Sequence, residues 1–297
     1  MHASSLGPLA TDYLDAMHAW ITGRATGNND VVFRTSDGGH SWQKTLVRVT
    51  GAHTHAPYFA GVSRLNRRRG WLSTVDVGMH EVIQSIYETN DGGAHWKWVR
   101  PAKHTSPISG ILKFQTPKVG YAANAYAGSG PDVVYRSVDG GRSWKSFRLP
   151  MPSMYRHVHT AVAFSSVQTM GNRTVTLPAV IEPLDLGSHH SLIVYRSDDA
   201  GRHWVRGAAL NLGAPDSSAS VAFANAQDGW VLTSGRLYRT QDAGEIWAEV
   251  STRTNLRRGF GLDFVNAQVG FCLVWNGTSQ TLMKSTDAGR TWRNARS

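Results

Sequence analysis

The stretch Ser137-Val138-Asp139-Gly140-Gly141-Arg142-Ser143-Trp144 spells out a turn. An Asp side chain can bond the backbone of its own turn, and the glycines supply backbone conformations that other residues resist. The Ser hydroxyl can satisfy a further amide, and the Trp offers a large apolar surface to a sheet. The same frame, Ser or Thr, any residue, Asp, any residue, Gly, two residues, Trp, returns five more times. It occurs at 35–42, 89–96, 197–204, 240–247 and 285–292. The Asp positions, Asp37, Asp91, Asp139, Asp199, Asp242 and Asp287, are 54, 48, 60, 43 and 45 residues apart. Each interval suits one four-stranded blade of ~40–50 residues.

A second mark precedes most turns. Phe223 leads to Gly229-Trp230, Phe264 to Gly270-Phe271, Phe114 to Gly120-Tyr121 and Asn66 to Gly70-Trp71. In the first repeat Asp12 to Trp20 has the same character. The fourth departs, because Phe164 is followed by Gly171 with no aromatic after it, which predicts an irregular blade. The segments between marks are short, rich in β-branched and aromatic residues, and show no sustained helical period. The expected fold is all-β: a six-bladed β-propeller in one domain, with blades near 1–49, 50–103, 104–152, 153–211, 212–252 and 253–297. Strand A ends in the turn that reads Phe264-Val265-Asn266 in the last repeat, strand B starts at the Gly-aromatic pair, strand C runs into the Asp turn and strand D carries the turn Trp.

These residues resemble the BNR or Asp-box repeat. The group includes sialidases, xyloglucan-type endoglucanases, sortilin-like receptor domains and photosystem II stability/assembly-factor proteins. Gly70-Trp71 followed by Thr89 to Trp96 is most similar to the assembly-factor-like group. The resemblance implies structural Asp turns on one face, a ligand face opposite, and a place outside the cytoplasm. It also implies seven blades, from which six repeats depart.

Composition sets further bounds. The 297 residues carry 31 Lys+Arg against 21 Asp+Glu, a formal charge of +10, which favours partners with anionic groups. The basic residues are scattered and no nucleic-acid motif occurs, so nucleic acid is not expected. Cys272 is the one cysteine and excludes an internal disulfide; flanked by apolar residues, it reads as a buried thiol. No apolar run of ~18 residues is present, and no transmembrane helix is expected. The first residues lack a basic-then-apolar pattern, and the expectation is of an export signal removed from in front of them. A monomer without cofactor is expected.

Six of the 11 Trp residues belong to turns, and Trp20, Trp71 and Trp230 open strand B, leaving Trp98 and Trp275 for other work. On the ligand face implied by the resemblance, the loops entering strand A hold Tyr155, Arg156, His157, Arg257, Arg258, His53 and His55. These form the expected partner-binding patch, with Arg156, Arg257 and Arg258 at its centre. Guanidinium groups that converge bind carboxylate, sulfate or phosphate in bidentate fashion. The pairs His53/His55 and His157/His159 could each offer two imidazoles to a metal. No Cys or carboxylate spacing supports them, so no metal site is expected. Arg67-Arg68-Arg69 falls in an A–B turn at the opposite end.

Sialidases use an arginine triad, a Tyr–Glu nucleophile pair and an acid/base Asp, with an early Arg-Ile-Pro signature that is absent here. Glycoside hydrolysis needs two carboxylates within ~5–10 Å. Asp76, Glu81, Glu182 and Asp185 are the loop candidates, and nothing in the sequence fixes their separation. The expectation is a non-catalytic binding or assembly scaffold for a protein or glycan partner, with no catalytic residues. The alternative is a glycoside hydrolase of sialidase or endoglucanase type.

Overall fold

The computed structural model describes residues 10–14, 17–24, 30–37, 40–47, 58–77, 82–99, 110–124, 133–155, 158–184, 189–213, 219–275, 277–278 and 280–295. Six antiparallel sheets follow one another along the chain, each built on a path of four strands, and the fold is a six-bladed β-propeller. Apart from strands, the described residues hold one 3-10 turn, Ser153–Tyr155. Two compact units divide the described strands, one ending at Arg148 and the other beginning at Leu149.

The first unit holds three blades. They are β1–β4 (Ala10–Tyr13, Ala19–Arg24, Asp30–Thr35, Gln43–Val47), β5–β8 (Tyr58–Arg64, Gly70–Val77, Val82–Thr89, Lys97–Val99) and β9–β12 (Gly110–Phe114, Gly120–Asn124, Val133–Ser137, Lys145–Arg148). The second holds β13–β18 (Thr160–Phe164, Gln168–Met170, Thr174–Pro183, His190–Ser197, Val205–Arg206, Leu210–Gly213), β19–β22 (Ser220–Phe223, Gly229–Thr233, Arg236–Thr240, Ala248–Val250) and β23–β26 (Gly259–Phe264, Gly270–Trp275, Gln280–Ser285, Arg293–Asn294). Strand B opens on the Gly-aromatic pair in the second, third, fifth and sixth blades, and strand C ends on the turn Ser or Thr in all six. The turn Trp, however, stands just before strand D rather than inside it, because the turn Asp holds the chain up to the N–H of the residue before the Trp.

The irregular fourth blade has a physical form. Its strand A is doubled: β13 pairs with the far half of β15 and β14 with the near half, and the chain reverses at Gly171 with φ +59°. Its strand D is likewise split, β17 and β18 both pairing with β16.

All six Asp turns follow one plan. In the third, Ser137 Oγ donates to Asp139 Oδ1 (2.8 Å) and accepts from the Gly141 N–H (2.8 Å), while Asp139 Oδ1 accepts from the Ser143 N–H (2.9 Å). The residue after Asp reaches sideways: the Gly140 N–H donates to Lys118 O in the A–B turn, as Gly92 does to Arg68 O and Ala288 to Gln268 O. In the second to sixth blades the C–D turn is thereby tied to the A–B turn of its own blade. These bonds hold the carboxylates ionised. Asp37 lies well below the usual carboxylate range, chiefly through the Ser41 hydroxyl, and Asp91 likewise, chiefly through the His95 N–H. Carboxylates so committed to their own turns are staples.

Between blades lies a column of rings. Phe114 sits on Gly120 and Gly141 of its own blade, stacks on Trp71 of the preceding blade at 3.9 Å, and meets Trp144 edge-on at 6.1 Å. Phe264 repeats this with Gly270, Trp230 (3.7 Å) and Trp292 (6.1 Å). A guanidinium closes each column: Arg69 over Trp71, held by Glu88, and Arg239 over Trp230, held by Asp228. Inner strands are stitched by side chains. Asp12 accepts from the Arg64 N–H, Ser63 from Phe114, Gln168 from Phe223 and Ser220 from Leu262. Cys272 is fully buried in the last blade, and burial pushes its thiol up to about 12.

Candidate ligand-binding site

Within the last blade the two ends have distinct chemistry. The A–B turn at 265–269 and the Asp287 turn share one end, joined by the Ala288 to Gln268 bond. The lead-in to β23 and the B–C turn share the other. There Arg258 O accepts from the Trp275 N–H at 3.1 Å, which brings the last residue of β24 beside the lead-in. Arg257 and Arg258 are exposed, and so are Phe260 (39%) and Trp275 (38%). Asn255 Oδ1 accepts from the Arg257 N–H (3.0 Å), and Leu256 is buried beneath. The preceding blade's turn at Ser234-Gly235 presses on the Arg257 backbone, since a Cβ on Gly235 would lie 2.6 Å from Arg257 Cα. The arginines therefore project from a fixed backbone.

This end of the last blade combines two guanidinium groups with two exposed rings. Arginine forks suit carboxylate, sulfate or phosphate, and an exposed Trp face suits a sugar ring or an apolar side chain. Trp275, one of the two tryptophans left without a fold role, is the aromatic that the site adds. Its signal in the sequence was that it belonged to neither repeated mark. Trp98 instead packs against the core between the first two blades.

The other expected site residues are placed differently. Tyr155 is buried, 6% exposed, and its hydroxyl donates to Ser191 Oγ at 2.7 Å, so it anchors the lead-in to the fourth blade. Arg156, His157, His53 and His55 lie outside the described residues. Arg67-Arg68-Arg69 does stand at the Asp-turn end, with Arg68 O accepting from Gly92 and Arg69 committed to Glu88.

Carboxylates were the test of a hydrolase. Glu81 and Asp185 lie outside the described residues, and Asp76 is described only as backbone in β6. Glu182 is half-buried with His190 Nδ1 at 4.0 Å. Elsewhere Asp12 holds Lys113, Glu88 holds Arg69, Asp198 holds Arg196, Asp228 holds Arg239 and Glu249 lies 3.5 Å from Arg236. No group of three or more His, Cys, Asp or Glu side chains suited to a metal ion occurs among the described residues. No described helix is long and apolar enough to cross a membrane.

No family model matches the chain. A probable oligoxyloglucan-reducing end-specific xyloglucanase from Neosartorya fischeri is 28% identical over 244 residues, 77% of this chain. The match spans only 28% of that protein's length. Among solved structures, YCF48 bound to a D1 peptide superposes with a TM-score of 0.61 at 19% identity, covering 99% of this chain and 83% of that one. A polysaccharide lyase of the PL25 ulvan lyase family gives 0.62 at 9% identity, covering 97% and 84%. The structural likenesses define the propeller class; they include a peptide-bound protein and a glycan-active enzyme.

Proposed function

We propose that this protein is a non-catalytic binding or assembly scaffold that receives an anionic protein or glycan partner outside the cytoplasm. The observation that carries this reading is the employment of the carboxylates. Among the described residues the six turn Asp side chains are bound into their own turns, and most others are paired with arginine or lysine. Arg257, Arg258 and Trp275 supply recognition groups without a neighbouring acid pair. The likeness to YCF48 bound to a peptide supports a protein partner, and the basic charge supports an acidic one. In this reading Arg156, His157, His53 and His55 also serve partner binding, and the protein acts as a monomer.

A second reading, a glycoside hydrolase, is favoured by the 28% identity to the xyloglucanase. Glu182 is then the described candidate acid. Incubating purified protein with xyloglucan oligosaccharides and with a fluorogenic sialoside separates the two. The scaffold reading expects no new reducing ends and no released fluorophore above a heat-denatured control. Turnover that disappears in Glu182→Gln would establish the hydrolase instead.

A further inference from the structure

The Asp turn of the fifth blade departs from its sisters at one atom. In the other five turns both carboxylate oxygens of the Asp are taken. Oδ1 serves the turn backbone, and the side chain four residues on sits on Oδ2. That side chain is Ser41 Oγ (2.5 Å), His95 Nδ1 (2.6 Å), Ser143 Oγ (2.5 Å), His203 Nδ1 (2.5 Å) or Thr291 Oγ1 (2.6 Å). In the fifth turn the residue at that place is Ile246, which has no group to donate. Asp242 Oδ1 is engaged as elsewhere, by Thr240 Oγ1 (2.7 Å) and the Ile246 N–H (2.9 Å). No side chain among the described residues takes the place on Oδ2.

A guanidinium at the next turn is released in a similar way. Arg142 and Arg202, each three residues after the turn Asp, fold back and donate to the carbonyl of that Asp at 2.8 and 3.4 Å. Arg290 holds the same place in the last blade. Its N–H donates to Asp287 O at 3.5 Å, but its guanidinium makes no such bond. Arg290 lines, with Asp242 and Ile246, a groove of about 520 Å³ between the last two blades. Glu249, Val250 and Ser251 of the outer strand of the fifth blade continue the wall. Both turns and the strands that carry them are described, and both blades belong to the second unit.

We propose that this groove binds a polyol, specifically a sugar, through its hydroxyl groups. What Asp242 Oδ2 lacks is what three sister turns supply from within, a hydroxyl that donates to it. A ligand hydroxyl can take that place, since Ile246, standing where the donor would be, is itself part of the groove wall and 70% exposed. A hydroxyl donates once and accepts as well. Neighbouring hydroxyls on one ring can therefore donate to Asp242 and accept from Arg290. Both bonds involve an ionised group, which makes them stronger than neutral ones. Ile246 and Val250 offer apolar surface to the C–H face of a ring. A concave wall of this mixed kind, within the ~300–1,000 Å³ of small-molecule sites, suits such a ligand. The groove is at the Asp-turn end, away from Arg257, Arg258 and Trp275, and it stands or falls independently of the scaffold reading.

Saturation-transfer NMR and titration calorimetry with methyl glucoside, methyl galactoside, maltose and myo-inositol test the proposal, with glycine as a zwitterionic comparison. Saturable binding of at least one of the four polyols is expected. Ile246→Ser rebuilds the sister turn, so its own hydroxyl should occupy Asp242 Oδ2. It should keep or raise the melting temperature and weaken polyol binding roughly 10-fold, about the loss of one hydrogen bond to a charged group. Arg290→Gln, at an exposed position, should weaken binding by roughly 3- to 10-fold for the same reason. If Ile246→Ser proves unfolded, Arg290→Gln alone decides. No saturable binding of any polyol by the wild-type protein overturns the proposal. So does glycine bound in preference to all four, or wild-type affinity in the folded variants.

Discussion

The residue after the turn Asp shows how local conformation and packing compete. It must adopt a positive φ, because its N–H has to reach the A–B turn carbonyl. Gly92 and Gly140 do so at +76°, whereas Ala200, Ala243 and Ala288 are held at +60° to +63°. An alanine there carries about 1 kcal/mol of strain that glycine lacks. Ala200 is only half-buried, so Ala200→Gly should stabilise the protein by roughly 0.5–1 kcal/mol. Ala288 is 3% exposed and packs in the core between the last two blades. Removing its methyl group costs about 0.8 kcal/mol, which cancels the relief. Urea unfolding of the two variants side by side checks the contrast; equal shifts would mean that strain, not packing, decides both.

At the scale of the element, the glycine that opens strand B is a seat for a ring. A Cβ on Gly120 would lie 2.6 Å from Phe114 Cε1. Phe114 cannot retreat, because it is 1% exposed and stacked on Trp71. Gly120→Ala should therefore destabilise by about 1–3 kcal/mol, the range for overpacking a filled core. Chemical denaturation measures it. A loss below about 0.5 kcal/mol would show that the ring column yields freely. The same geometry explains the spacing of the sequence marks. The Phe, the strand B glycine and the second turn glycine recur together because one ring must sit on both glycines.

For the whole molecule, the relevant quantity is charge. Arg257→Glu with Arg258→Glu moves the formal net charge from +10 to +6 and reverses the sign of the exposed end of the last blade. Both side chains are exposed, so the double variant should melt within a few degrees of the wild type. Binding to a poly-glutamate surface should fall at least 10-fold at 50 mM salt. The difference should shrink towards 0.5 M salt, because exposed charges are screened beyond ~10 Å already at 0.1 M. Equal binding by both proteins would show that the acidic partner uses another surface.

Much of this was legible in the chain itself. Fixed turn residues at blade-sized intervals determined six sheets, because the Asp and the Ser or Thr of each turn bond within the turn itself. The buried Cys272 followed from its apolar flanks, and an irregular fourth blade from the missing aromatic after Gly171, whereas the doubling of its strand came from the pairing. The tertiary structure decided what depends on residues distant in sequence. Arg64 reads as one basic residue among many until Trp20, 44 residues earlier, is found beneath its guanidinium. Tyr155 reads as a ligand-facing aromatic until Ser191 is found bonded to its hydroxyl and the ring buried. Trp275 meets Arg258 only because β24 returns beside the lead-in to β23. Turn chemistry is local and repeats, whereas a site is made where strands from separate stretches meet, and the sequence carries no record of that distance.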